Sequence, residues 1–153
     1  MGMDVTGNSG NYFRANVWTW KPLWHLCAVI APELASTVTY ACSNDGDGLD
    51  RADARALADL LTDALERGVV TKLIAEDRAA RDDLPDEECR WCSGTGTRTD
   101  EVGARFGMDR RRWCNACDGN GAVRPTTTHY SVDEDTVAEF RDFLADSGGF
   151  EIW

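Results

Sequence analysis

The sequence lacks a long apolar run. Its longest such stretch, Leu23 to Ala31, is interrupted by His25 and is too short to span a bilayer. No amino-terminal signal peptide is recognisable. We therefore expect a soluble, cytoplasmic protein that does not act in a membrane. In that reducing compartment, the six cysteines are expected to be metal ligands and free thiols rather than a disulfide framework.

Positive charge is also scarce. The chain has 16 lysines and arginines against 27 aspartates and glutamates, which gives a formal net charge of −11. This balance argues against a general nucleic-acid coat and against a polybasic membrane binder. It leaves room for a partner that presents a basic face.

Recognisable catalytic motifs are absent as well. We find no pairing of a nucleophile with a base, no phosphate-binding loop and no dinucleotide fingerprint. The segment 44–50 resembles a calcium loop, but no glutamate arrives at the twelfth position of such a loop. A turn that leads into a helix cap is the expected structure there. We expect a non-catalytic protein, with an unrecognised small enzyme built on the abundant carboxylates as an alternative.

What the sequence does contain is one motif written twice. C-x-x-C-x-G-x-G occurs at 89–96 and again at 114–121. Two such turns, or knuckles, offer four thiolates, and zinc prefers four donors in a tetrahedron. The glycines stand at matching offsets, where the chain doubles back and positive φ angles are expected. The predicted zinc ligands are Cys89, Cys92, Cys114 and Cys117.

A site with four thiolates leaves no coordination position open, so we expect it to be structural. Zinc binding to such a site is worth on the order of 10 kcal/mol, which exceeds what the core of so small a module supplies alone. Unliganded thiols, a redox pair and an iron–sulfur cluster are the alternatives for the same cysteines.

The repeat resembles the cysteine-rich zinc region of the DnaJ co-chaperones, over 89–121 only. The chain has two repeats where that region has four, and it has no His-Pro-Asp signature of a J-domain. The wider sequence is similar to a group of small proteins from bacteriophages and bacterial genomes. That second resemblance is carried by MGMDV at the start, GNYFRANVWTWKPLW, NDGDGL, the knuckles and GGFEIW at the end. It implies relatedness and, with it, a phage or mobile-element origin, but no particular mechanism.

The periodicity predicts an α+β fold, an α-rich single domain with a small inserted four-cysteine zinc-knuckle module. Residues 1–88 form a helical body with an amino-terminal extended segment and an acidic linker. Residues 89–125 form the zinc module. Residues 126–153 form a carboxy-terminal helix and a tail that pack on the body.

Helix-capping residues and the alternation of apolar and polar residues predict the individual helices and strands. A strand is expected over Asn11 to Val17, and the tail at 150–153 is expected to pair with it. Thr19 is the predicted cap of the first helix. Asp50 is the predicted cap of a helix over Arg51 to Arg67, and the apolar stripe of that helix includes Leu60. A capping box that begins at Ser131 is expected to start the last helix.

Five aromatic residues lie close together near the amino terminus: Tyr12, Phe13, Trp18, Trp20 and Trp24. We interpret them as part of the core, with a stacking platform for a base or a peptide as the alternative. The scattered Cys27 and Cys42 are expected to be buried thiols rather than metal ligands with His25 and His129.

Charge is divided unevenly along the chain. Seven arginines and four acidic residues between 89 and 124 give that segment +3, which leaves −14 on the rest. Arg110, Arg111, Arg112 and Trp113 form the predicted partner-binding site. We expect a zinc-stabilised accessory protein that binds another protein, a host protein being one candidate. Nucleic-acid binding through this segment is the alternative function. The uneven charge would also arise, without any binding role, if the arginines folded back onto the acidic body.

Overall fold

The computed structural model of the chain describes residues 2–153. The fold is a mixture of 49% helix and 14% strand, which confirms the predicted α+β class. Two compact units are present. The larger unit contains the chain through residue 79 and again from residue 129 onward, and the smaller unit spans 80–128. The smaller unit thus includes the whole predicted zinc module and the end of the acidic segment before it.

The elements follow one another in a mixed order. The strands are β1 (Gly2–Gly7), β2 (Tyr12–Asn16), β3 (Asp47–Leu49), β4 (Glu87–Glu88), β5 (Ala122–Val123) and β6 (Phe150–Ile152). The helices are α1 (Val17–Ile30), α2 (Pro32–Ala35), α3 (Arg51–Glu66), α4 (Val69–Asp82), α5 (Glu101–Arg105), α6 (Met108–Arg111) and α7 (Glu134–Ser147), with a 3-10 turn at Thr126–His129.

The larger unit is built on a four-stranded antiparallel sheet in the order β2-β1-β6-β3. Side chains alternate across it, so that Val5 and Ile152 are fully buried whereas Tyr12 and Arg14 face solvent. Strand β2 lies within the predicted extended segment. The expected pairing of the tail is corrected, because β6 lies between β1 and β3 and does not touch β2.

The cap of helix α1 lies three residues earlier than the predicted cap, Thr19. Asn16 is the cap, and its side chain accepts hydrogen bonds from the amides of Trp18 and Thr19. The early start places Pro22 inside the helix, where it has no amide to offer the carbonyl of Trp18. The amide of Ser131 donates to that carbonyl instead, at 3.1 Å.

The predicted cap of helix α7 is also corrected. Ser131 donates its amide to α1 and does not cap α7, and the cap is Asp133, whose carboxylate accepts from the amide of Thr136. Helix α3 agrees with prediction in its start and its Asp50 cap. Leu60, however, is 43% exposed and does not belong to its buried stripe.

The core of the larger unit is aromatic. Trp20 and Phe140 are fully buried and meet edge to face at 5.6 Å between ring centroids, and Phe13 and Trp24 are also buried. The interpretation of the aromatic cluster as core is therefore right for these residues. It is wrong for Tyr12 and Trp18, which are 56% and 42% exposed.

Candidate metal centre

The two knuckles bring four sulfur atoms together. The Sγ atoms of Cys89, Cys92, Cys114 and Cys117 all lie within 4.8 Å of one another. Cys89 and Cys114 approach to 4.0 Å, and Cys92 and Cys117 to 3.7 Å. A tetrahedral zinc ion with bonds of about 2.3 Å to sulfur requires sulfurs about 3.8 Å apart. The four side chains are buried, so the set has the number, spacing, burial and softness of donors that suit a zinc ion.

No comparable group exists elsewhere. Among residues 2–153, these cysteines are the only cluster of three or more histidine, cysteine or acidic side chains able to share an ion. Cys27 is fully buried in the core of the larger unit, as expected, but Cys42 is exposed and corrects the expectation of a buried thiol. His25 and His129 are not assembled with them into a metal site.

Each knuckle folds by the same local hydrogen bonds. The amide of Gly94 donates to the carbonyl of Cys89, and the amide of Gly119 donates to that of Cys114. The residue after the second cysteine, Ser93 or Asp118, has a positive φ near 50° in both copies. The strands β4 and β5 pair next to the centre and bring the start of the first knuckle to the end of the second. The repeat in sequence is thus a repeat in structure.

The glycines serve two purposes. All four have positive φ, between 72° and 81°, as predicted from the motif. The last glycine of each knuckle also faces the first glycine of the other. A Cβ atom on Gly96 would lie 2.2 Å from the carbonyl oxygen of Gly119, and one on Gly121 would lie 2.2 Å from that of Gly94. Each knuckle therefore fits against the backbone of its partner.

Burial and local donors set the ionisation of the thiols. Desolvation raises the pKa of Cys92 to about 11. Burial acts in the same direction on Cys117, but the amide of Gly121, which donates to its Sγ at 3.3 Å, and the neighbouring thiols lower that pKa to about 7. Negative charge on one sulfur opposes ionisation of the next, and a divalent cation would remove that opposition.

Arg98 lies between the knuckles. Its guanidinium forms a forked contact with Asp100, at 2.8 and 2.9 Å, and donates to the side chain of Asn115 at 3.0 Å. It also lies over the ring of Trp91, 4.8 Å from the centroid. The hydrogen bond with Asp100 raises the pKa of Arg98, and the same contact lowers the pKa of Asp100. In the sequence, Arg98 is only one of the seven arginines between 89 and 124, and nothing there indicates these contacts.

The predicted partner-binding residues differ in their surroundings. Arg110 and Arg112 are exposed. Arg111 is exposed as well, but its guanidinium donates to the backbone carbonyls of Phe106 and Gly107. Trp113 is half-buried, and its indole N–H donates to Asp118 at 2.9 Å. Trp113 thus packs in the second knuckle, while the three arginines lie at the surface.

Two exposed apolar side chains accompany these arginines and were not predicted. Val102 is 39% exposed and Phe106 is 57% exposed, and they lie one helical turn apart. The spacing of four residues was the available signal.

No protein-family model matches the chain, and no curated protein or solved structure is significantly similar to it. Across residues 2–153, no helix has the length and apolar character needed to cross a membrane. Function is therefore inferred from the geometry of the site.

Proposed function

We propose that the protein is a non-catalytic accessory protein in which a zinc-stabilised module holds a surface for another protein. The observation that carries this proposal is the closed set of four buried cysteines. Four thiolates fill the coordination of zinc, so the ion would support the fold and would have no position for a substrate. The chain between the knuckles is then the part that is free to make contacts.

That chain offers a definite surface. We call Val102, Arg105, Phe106, Arg110 and Arg112 the insert surface, since all five are exposed. Its apolar part consists of Val102 in α5 and Phe106, the residue that caps the end of that helix. The one buried residue of α5 is a glycine, so the helix turns its larger side chains to solvent. Exposed aromatic and arginine side chains are the types enriched where proteins bind one another.

Local contacts hold the centre of this surface in place. The guanidinium of Arg105 lies over the ring of Phe106, 5.7 Å from its centroid. Arg111 donates to the carbonyl of Phe106 at 2.5 Å. An exposed aromatic ring with one guanidinium over it, and a second guanidinium bonded to the main chain of the same residue, suits an acidic segment that carries an apolar anchor residue. The partner we propose is therefore a protein with an acidic, partly apolar docking segment.

Nucleic acid is the second candidate, because Arg110 and Arg112 are exposed and able to reach phosphates. The formal charge of −11 on the whole chain opposes this binding. We expect an affinity for DNA or RNA weaker than about 10 μM at physiological salt, below that of specific complexes. A tight complex whose affinity falls steeply with salt would instead establish the nucleic-acid role.

The resemblance to small bacteriophage and bacterial proteins supports an origin in a phage or mobile element. With that origin we place the protein in the host cytoplasm and propose a host protein as its partner. This setting would also keep the four cysteines reduced and available to zinc.

The experiment has a metal arm and a partner arm. Metal analysis of the purified protein should give about one zinc per chain, which Cys89→Ser should abolish and Cys42→Ser should leave unchanged. Iron at the site, or no metal, would contradict the proposal.

The partner arm uses pull-down from host lysate, with and without nuclease. The retained protein should survive nuclease, should be lost with Phe106→Ala combined with Arg105→Ala, and should be kept with the matched control Arg67→Ala. Retention that disappears on nuclease treatment would support the nucleic-acid alternative. Equal retention by all variants would mean that the insert surface is not the docking site.

A further inference from the structure

Arg98 is a charged side chain that the structure places out of solvent. The residue retains only 8% of its exposure, unlike every other arginine of the smaller unit. Burial of a charge is unfavourable unless opposite charge and hydrogen bonds compensate it. Asp100 supplies one negative charge at 2.8 Å, but it is itself largely at the surface.

The remaining partners of Arg98 belong to the knuckles. Trp91 stands between Cys89 and Cys92 in sequence, and Asn115 stands between Cys114 and Cys117. Stacked on Trp91 and bonded to Asn115, one guanidinium spans the variable positions of both C-x-x-C turns. Its backbone amide also donates to the carbonyl of Trp113, the residue before the second knuckle.

The position of Arg98 suits the negative charge that a zinc–thiolate centre would have. A divalent ion with four thiolates carries a net charge of −2, and these sulfurs are buried. The guanidinium contacts Trp91, which lies between Cys89 and Cys92 in the sequence, and Asn115, which follows Cys114, so its charge lies beside both pairs of cysteines. A buried anionic centre is stabilised by a nearby fixed cation.

We propose that Arg98 is a positioning residue of the metal centre, which holds the two knuckles together and offsets the negative charge of the zinc–thiolate group. This inference rests on the zinc site of the proposed function, but not on the partner. It assigns Arg98 a role separate from the one proposed for Arg105, Arg110 and Arg112 of the insert surface. Groups beyond the ligands commonly change metal affinity by about 10- to 100-fold when they are removed.

The test compares zinc dissociation constants of full-length variants by competition with a chromophoric chelator. Arg98→Met keeps the length and loses the charge, Arg98→Lys keeps the charge and loses the fork, and Arg105→Met is the matched exposed control. We expect Arg98→Met to weaken zinc binding about 10- to 100-fold, Arg98→Lys to lose less, and Arg105→Met to match the wild type. Wild-type affinity in Arg98→Met would overturn the inference.

A second variant separates electrostatics from packing and is informative even if Arg98→Met does not fold. Asp100→Asn retains a side chain that can cap α5 but removes the charge that competes for Arg98. An electrostatic role requires Asp100→Asn to bind zinc at least as tightly as the wild type. A loss as large as that of Arg98→Met would show that Asp100 and Arg98 act only as a structural pair, and would overturn the charge role.

The cobalt-substituted proteins provide a spectroscopic check. Each variant should keep the absorption of a tetrahedral four-sulfur site, because the ligands are unchanged. If the wild type binds neither zinc nor cobalt, the proposed function itself fails. If the wild type binds and the Arg98 variants bind equally well, only the present inference fails.

Discussion

The contact between the two knuckles predicts that two neighbouring glycines differ sharply in their tolerance of alanine. Gly119 and Gly121 have almost the same backbone, with φ of 81° and 78°. At Gly119, an added Cβ would meet the ring of Trp113 at 3.4 Å and the carbonyl oxygen of Gly96 at 4.0 Å, both of which are ordinary van der Waals contacts. At Gly121, it would lie 2.2 Å from the carbonyl oxygen of Gly94, which is backbone and does not rotate away.

The magnitudes follow from these two geometries. Either alanine must adopt a left-handed conformation, which costs about 1–2 kcal/mol. Gly121→Ala must in addition separate the knuckles, and such overpacking typically costs about 1–3 kcal/mol more. Because both substitutions share the conformational cost, the difference between their losses of stability measures the clash of the Gly121 Cβ with the carbonyl of Gly94. If the strain is present only in the zinc-bound fold, this difference means that Gly121→Ala loses roughly 5- to 150-fold more zinc affinity than Gly119→Ala.

The assay is chelator competition together with thermal unfolding of the zinc-loaded protein. Gly96→Ala should reproduce Gly121→Ala, because its Cβ would meet the carbonyl of Gly119 at the same 2.2 Å. Gly107→Ala is the control for the backbone alone, since its φ is 65° and no atom lies within 4 Å of its Cβ. Equal losses for Gly119→Ala and Gly121→Ala would refute the argument that the knuckles form each other's packing surface.

Three further predictions concern the rest of the chain. Mild alkylation of the zinc-loaded protein should modify Cys42 and spare Cys27, because burial raises the pKa of the Cys27 thiol to about 12; mass spectrometry would locate the adduct. Phe140→Ala should cost about 3–5 kcal/mol in urea unfolding, whereas Leu60→Ala should cost less than about 0.5 kcal/mol because Leu60 is exposed. Chelation should increase amide exchange over 89–125 while most far-UV helical signal survives, and complete loss of helix would contradict an independent body.

The four-cysteine cluster is the part of the molecule that the sequence predicts best. Its cysteines and its glycines lie in two short contiguous motifs, and the φ angles at the glycines follow from the turn that each motif makes. The start of α3 at Asp50 is predictable for the same reason, since a cap acts over three residues.

Features that depend on distant segments were missed. Strand β6 pairs with β1 and β3 rather than with β2, although it lies at the other end of the chain, and no local pattern reveals those partners. Ser131 has the sequence of a cap, but its amide satisfies the carbonyl that Pro22 leaves free in α1.

Arg98 shows the same limit within the site. In the sequence, it is one arginine among seven in its segment, with nothing to separate it from Arg105. Its role depends on Trp91 and Asn115, which the fold brings to it from the two knuckles.

The bond between the amide of Arg98 and the carbonyl of Trp113 has a practical consequence. It brings together the two ends of the segment that contains α5 and α6, so this segment leaves the first knuckle and enters the second at adjacent points. Doubling the length of a closed loop costs only about 0.6 kcal/mol, a small part of the roughly 10 kcal/mol that zinc binding to the four cysteines would provide. Residues 104–112 are therefore a site at which foreign peptides could be grafted, with zinc content as a direct report that the supporting module has kept its fold.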